Sequence, residues 1–242
     1  MPVCTAPGGT AGGTVEDDEF RGRLRATSFT APDSRNGVFM DSSTAPALDL
    51  EPAARQIAAL LDSIEDRRLA GPTPCPDYAV RELLAHVVGL TTAFRDAAHK
   101  DLGPTTEVSP GTAPLVLGDD WREVLPPLLD ELVAAWRSPA AWEGMTRAGG
   151  VDLPAPVAAA VALNELVVHG WDLARSTGQP YRADEANLRS CQALLTPVED
   201  NPDAGAIFGP PVPVPPDAPL VDRVIALSGR RPDWQPDRRP ED

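Results

Sequence analysis

The sequence predicts an all-α protein built as a bundle of helices. Three observations lead there. Apolar residues recur at three- and four-residue spacing in four long stretches. Proline- and glycine-rich breaks separate those stretches. No segment shows a convincing apolar–polar alternation of the kind a half-buried strand needs. At 242 residues and 42% hydrophobic content, the chain can build one domain with a real core, plus tails.

Residues 1–45 read as a disordered tail or a mis-assigned start, because "TAPGGTAGGT" and the polar residues after it lack periodicity. Met40 is the alternative initiator. Order begins near Leu48. In "LDLEPAARQIAALLDSIEDRRLA" the spacing of Ala53, Ile57, Leu60, Leu61 and Ile64 predicts a helix that "GPTPCP" stops. A second helix is predicted from about Ala79 to Lys100, with Leu83, His86, Val87, Leu90 and Phe94 on one face. "DLGPTTEVSPGTAPLVLG" reads as a loop. A third helix, about Asp119 to Arg137, carries Val124, Leu128, Leu132 and Trp136, and Pro126 and Pro127 should kink it or delay its start. A loop with Trp142 and a Gly-Gly pair leads to a fourth helix, about Ala155 to Thr177, with Gly178 as its stop. A fifth helix runs from about Asp184 to Leu195. A short one covers Val221 to Leu227, and 236–242 read as a second tail. The domain is expected to span 46–235. Short to medium loops between long helices suggest an antiparallel bundle with accessory helices.

The net charge of -15 disfavours nucleic acid and anionic membrane surfaces as partners, since both need clustered Lys and Arg. No run is expected to approach the ~20 apolar residues of a membrane span. The N-terminus lacks a signal-peptide pattern, so a cytoplasmic location is expected. Cys4, Cys75 and Cys191 are odd in number and have no CxxC pair, which argues against a disulfide framework and a cysteine zinc site.

The chain has three histidines. His99 closes its helix beside Lys100 and Asp101, and reads as solvated or as a capping residue. His86 sits mid-helix on an apolar stripe. Glu165 and His169, four apart in "NELVVHGWDLA", share a face with Val161, Ala162, Leu166 and Leu173. A buried carboxylate is costly unless paired or bound to a metal. Two imidazoles and one carboxylate form the ligand set of an open zinc site, where three protein groups leave one position vacant. The other reading of the same spacing is a simple helix pair with His86 as a separate core residue. The stretch is neither the H-E-x-x-H of zinc proteases nor the doubled Glu-x-x-His of di-iron bundles. Cys75 lies just before a helix start, where a thiol pKa falls, but its turn-like neighbours also suit a packed structural cysteine. Trp121, Trp136, Trp142 and Trp171 read as core or pocket wall.

"TPCPDYAVRELLAHVVG" and, further on, "NELVVHGWDLARSTGQ" resemble the metal-binding domain of the mycothiol-dependent maleylpyruvate isomerase family, within the DinB/YfiT-like superfamily. The closing "FGPPVPVPPDAPLVDRVIALSGRRPDW" resembles the tail of a bacterial metal-binding subfamily. The likeness covers about Leu48 to Trp234. It implies a four-helix bundle in up-down-down-up order, which replaces the plain antiparallel order. It also implies a divalent metal, usually zinc, held by His86, Glu165 and His169. Activity on a small electrophile with a low-molecular-weight thiol, mycothiol or bacillithiol, is implied as well. A thiol-dependent S-transferase is the expectation. A non-enzymatic metal-binding bundle, structural or stress-related, is the rival. The isomerase reaction itself is less expected, because relatives add a catalytic C-terminal domain and only about forty residues follow the last long helix here. Ala79 stands where relatives often carry a Ser or Thr cap, a loss of ~1 kcal/mol that leaves the site untouched.

Overall fold

A computed structural model describes residues 48–108, 112, 114–196 and 210–236. The expectations for 1–45 and for the end of the chain from 237 on lie outside these residues. Helix α1 spans Glu51–Leu61, α2 Val80–His99 and α3 Trp121–Arg137. A hairpin of β1 (Met145–Ala148) and β2 (Val151–Pro154) precedes α4, Ala155–Thr177. Helices α5, Glu185–Leu195, and α6, Leu220–Leu227, complete the order.

The direction of each long helix follows from polar contacts at its ends. The Arg122 guanidinium, at the start of α3, donates to the Ile64 carbonyl and to Asp66, both at 2.7 Å, just past the end of α1. Arg137, at the other end of α3, pairs with Glu51 at the start of α1. Helices α1 and α3 are therefore antiparallel. The Trp136 indole N–H donates to the Phe94 carbonyl at 3.1 Å, and Arg95 pairs with Glu131 at 2.7 Å. The late parts of α2 and α3 thus lie together, so these two helices are parallel. The Thr146 hydroxyl donates to the Ala97 carbonyl at 2.6 Å, which sets the start of α4 at the end of α2. The Gln179 amide donates to the Leu60 carbonyl at 3.0 Å, which brings the ends of α4 and α1 together. The order is up-down-down-up, with α1 and α2 each packed against both α3 and α4.

The core is aliphatic, with Ile57, Leu61, Leu83, Leu125, Leu132, Leu163 and Leu173 fully enclosed. Helix α4 is its centre. Every residue from Ala162 to Ala174 is buried, because α5 and the C-terminal segment cover the side that α1 and α2 leave open. Length and hydropathy make α4 the one described helix able to cross a membrane, which corrects the expectation that no run comes close. Its most apolar stretch is nevertheless 83% buried inside the protein.

Other differences from the sequence reading have local causes. Helix α1 stops at Leu61 rather than continuing toward Ala70. The Ser63 and Ile64 amides bond three residues back, to Leu60 and Leu61, and tighten the chain into a turn. Pro126 and Pro127 lie inside α3 without delaying its start. The carbonyls they deprive of an N–H belong to Arg122 and Glu123, both exposed, so water can serve them. The buried stripe of α3 is Trp121, Leu125, Leu129, Leu132 and Trp136; Val124 and Leu128 are only half-buried. The loop between α3 and α4 contains strands. Gly149 and Gly150 both have positive φ, 61° and 75°, as a two-residue primed turn demands. The predicted loop after α2 holds a helical turn at Pro104–Glu107.

Candidate metal centre

Glu165 and His169 project from the middle of α4 toward α2, which runs antiparallel and presents His86. His169 Nε2 lies 3.0 Å from Glu165 Oε2, and His86 Nε2 lies 3.6 Å from the same oxygen. One ligand atom from each residue falls within 4.8 Å of the others. The two imidazoles meet edge to face, 4.9 Å between centroids. The structure therefore brings together all three residues singled out from the sequence. His99 sits exposed at the end of α2.

Glu165 is 3% exposed, and its Oε2 has no partner in hydrogen-bonding geometry despite the two nitrogens nearby. An orphaned buried carboxylate oxygen is expensive. Three lone-pair donors aimed at one small volume suit a divalent cation, and the donor set is that of an open zinc site. The residues fit a metal on these grounds.

Behind His169 stands a residue that the sequence reading missed. Asp172, fully buried one turn on, places Oδ2 3.0 Å from His169 Nδ1. An ionised carboxylate only accepts, so Nδ1 carries the proton and Nε2 faces Glu165 and His86. Arg230, from beyond α6, reaches the same Asp172 oxygen at 3.2 Å. A mid-helix Asp three residues after His169, within an apolar run, was the available signal. Nothing in the sequence pointed to Arg230.

The electrostatics are those of a tight cluster. Burial alone would raise the Glu165 pKa, but the neighbouring His169 and His86 imidazoles outweigh it and hold the carboxyl well below its usual range. Burial pushes His86 below its ordinary value. Burial would lower His169 too, yet Asp172 and Glu165 on its two sides raise it instead. Asp172 is kept low, against burial, by Arg230 and His169.

The site has one more open edge. The side chain of His86 is 14% exposed, and the half-buried Tyr78 ring lies 5.7 Å from it. The loop before α2 positions that tyrosine: Thr73 Oγ1 donates to the Tyr78 carbonyl at 2.7 Å. The buried residues of α3 are all apolar. Cys75 is fully buried and is not a free thiol, so it offers no nucleophile. Trp121, Trp136 and Trp171 are buried and Trp142 is half-buried.

An up-down-down-up bundle with a His-His-Glu cluster between its second and fourth helices defines a DinB-like protein. Residues 50–174 match the model of the mycothiol maleylpyruvate isomerase N-terminal domain, and the chain belongs to that family. The match includes His86, Glu165, His169 and Asp172; Arg230 lies outside it. The chain is similar to two uncharacterized proteins of Mycobacterium tuberculosis, from strains CDC 1551 / Oshkosh and ATCC 25618 / H37Rv. Each is 27% identical over 202 residues, covering 76% of this chain and 97% of the relative. It is also similar to crystal structures of the mycothiol-dependent maleylpyruvate isomerase, in a mutant form and another, at 20% and 21% identity. Each has a TM-score of 0.48 and covers 61% of this chain and 67% of the other.

Proposed function

We propose that the chain is a divalent-metal protein that uses a low-molecular-weight thiol, mycothiol by family, as an S-transferase toward a small electrophile. The observation that supports this most is the orphaned Glu165 Oε2 beside two imidazole nitrogens. His86, Glu165 and His169 would hold the ion, zinc by ligand type. A bound ion of that kind supplies positive charge that stabilises a thiolate at its open position. Asp172 keeps His169 in the tautomer that leaves Nε2 available. Glu165 and His169 are buried away from water, and the His86 edge with Tyr78 is the side from which thiol and electrophile would enter. In the reaction the thiol S–H bond would break, its proton passing to solvent, and a carbon–sulfur bond would form as the electrophile's leaving group departs with its bonding electron pair.

Cobalt substitution tests the reading. Mycothiol, or bacillithiol in its place, should produce a sulfur-to-cobalt charge-transfer band in wild type and none in Glu165→Ala. A cobalt spectrum unmoved by either thiol, together with no conjugate from a test electrophile, would reject the transferase. The apolar buried face of α3 favours a second reading, because that helix brings no polar group to the site. In it the bundle binds metal without turning over a substrate. Thiol-conjugate formation by the purified protein excludes that alternative.

A further inference from the structure

Helix α6 ends in a Schellman turn. The Gly229 amide bonds the Ala226 carbonyl at 3.0 Å, the Arg230 amide bonds the Ile225 carbonyl at 3.1 Å, and Gly229 supplies the positive φ of 81°. This turn decides which of two consecutive arginines enters the protein. Arg231 stays out, 71% exposed and paired with Asp233. Arg230 turns inward, with its side chain only 3% exposed. One of its terminal nitrogens donates to the Ser228 carbonyl at 3.0 Å, and the other reaches Asp172 Oδ2 at 3.2 Å. That oxygen is the one that accepts from His169 Nδ1.

The same segment grips α4 at neighbouring points. Ile225 packs against Val168 and Trp171. Arg175 lies over the Trp171 ring, 5.3 Å from its centroid, and donates to the Pro232 carbonyl. Val168, Trp171, Asp172 and Arg175 follow helical spacing, so the segment covers one stripe of α4 directly behind the His169 imidazole.

We infer that Arg230 is a positioning residue for the metal centre, and that docking of residues 220–234 is coupled through it to metal binding. The inference rests on the metal-centre reading above. The acceptor on the far nitrogen of a ligating histidine fixes its ring orientation and tautomer, and losing such a partner weakens metal binding about 10–100-fold. Asp172 can serve only if it is itself held. Its Oδ1 has no hydrogen-bond partner, so its hold comes through Oδ2, shared by His169 and Arg230. Coupling between two binding events is reciprocal: if the docked segment tightens the metal, the metal must tighten the segment.

The test compares wild type with Asp172→Asn, Arg230→Met and Arg230→Lys, each first stripped of metal. Zinc affinity is measured by competition with a chromophoric chelator, and amide exchange of residues 220–234 is followed with and without zinc. Arg230→Met should bind zinc about 10–100-fold more weakly, Asp172→Asn similarly, and Arg230→Lys should recover part of the loss. Zinc should slow exchange across 220–234 in wild type but not in Arg230→Met. A merely structural arginine would lower the melting temperature and leave the zinc affinity of the folded molecules unchanged. Should Arg230→Met fail to fold, the contrast between Arg230→Lys and wild type decides. Folded variants that bind zinc within about twofold of wild type, or exchange at 220–234 that ignores zinc in wild type, overturn the inference alone. A wild type that binds no zinc overturns the metal centre and the inference together.

Discussion

Substituting the two mid-helix glycines by alanine should have opposite effects. Gly89 is exposed in α2, and a methyl group there meets nothing within 4 Å. Gly89→Ala removes only the entropic penalty of glycine in a helix and should stabilise by about 1 kcal/mol. Gly170 sits next to His169, where α1 and the chain after α4 close on the helix. A Cβ there would lie 3.1 Å from Tyr181 Cε2 and 3.3 Å from Ile57 Cγ1. Neither neighbour yields easily. The Tyr181 hydroxyl is tied to the Val167 carbonyl at 2.7 Å, and Ile57 is wholly enclosed. Overpacking of this kind costs about 1–3 kcal/mol. Set against a propensity gain of about 1 kcal/mol, Gly170→Ala should be net destabilising by about 0–2 kcal/mol. The two variants should differ by about 1–3 kcal/mol, or roughly 3–10 °C in Tm for a domain of this size. Thermal melts of both metal-free variants read the difference. Gly170→Ala melting at or above Gly89→Ala would refute the close packing that the structure places beside the site.

Two other outcomes are expected. Burial pushes the Cys191 thiol up to about 12 from its ordinary 9, so its thiolate fraction at pH 8 falls about 1000-fold. Alkylation in the native protein should be slower by at least that factor than in denaturant, and comparable rates would show the cysteine to be open. Gly149→Ala and Gly150→Ala each force a side chain into the left-handed region and should destabilise by about 1–2 kcal/mol; urea midpoints that do not move would contradict the primed turn.

Most of the bundle was legible because helical periodicity is a signal of long range. Over the twenty residues of α2 or the twenty-three of α4 it repeats often enough to fix both identity and limits. The hairpin was not legible, because its strands have four residues each and alternation over four residues is indistinguishable from a loop. The Gly-Gly pair was visible, but not the register it sets. For the site, a charged pair four apart in an apolar helix showed that something had to compensate Glu165. The group behind His169 depends on where residues after α6 dock on α4, a contact across 58 positions that no spacing rule reaches. Of two adjacent arginines only one turns inward, and a single glycine conformation makes that choice.

His86, Glu165 and His169 together should hold a divalent ion. Metal content of the purified wild type, beside Glu165→Ala and His169→Ala prepared identically, tests it most directly. About one ion per chain in wild type, zinc foremost, and most of it lost in both variants is the expected result. Equal metal content in all three proteins, or none in wild type after growth and purification with zinc supplied, would contradict it.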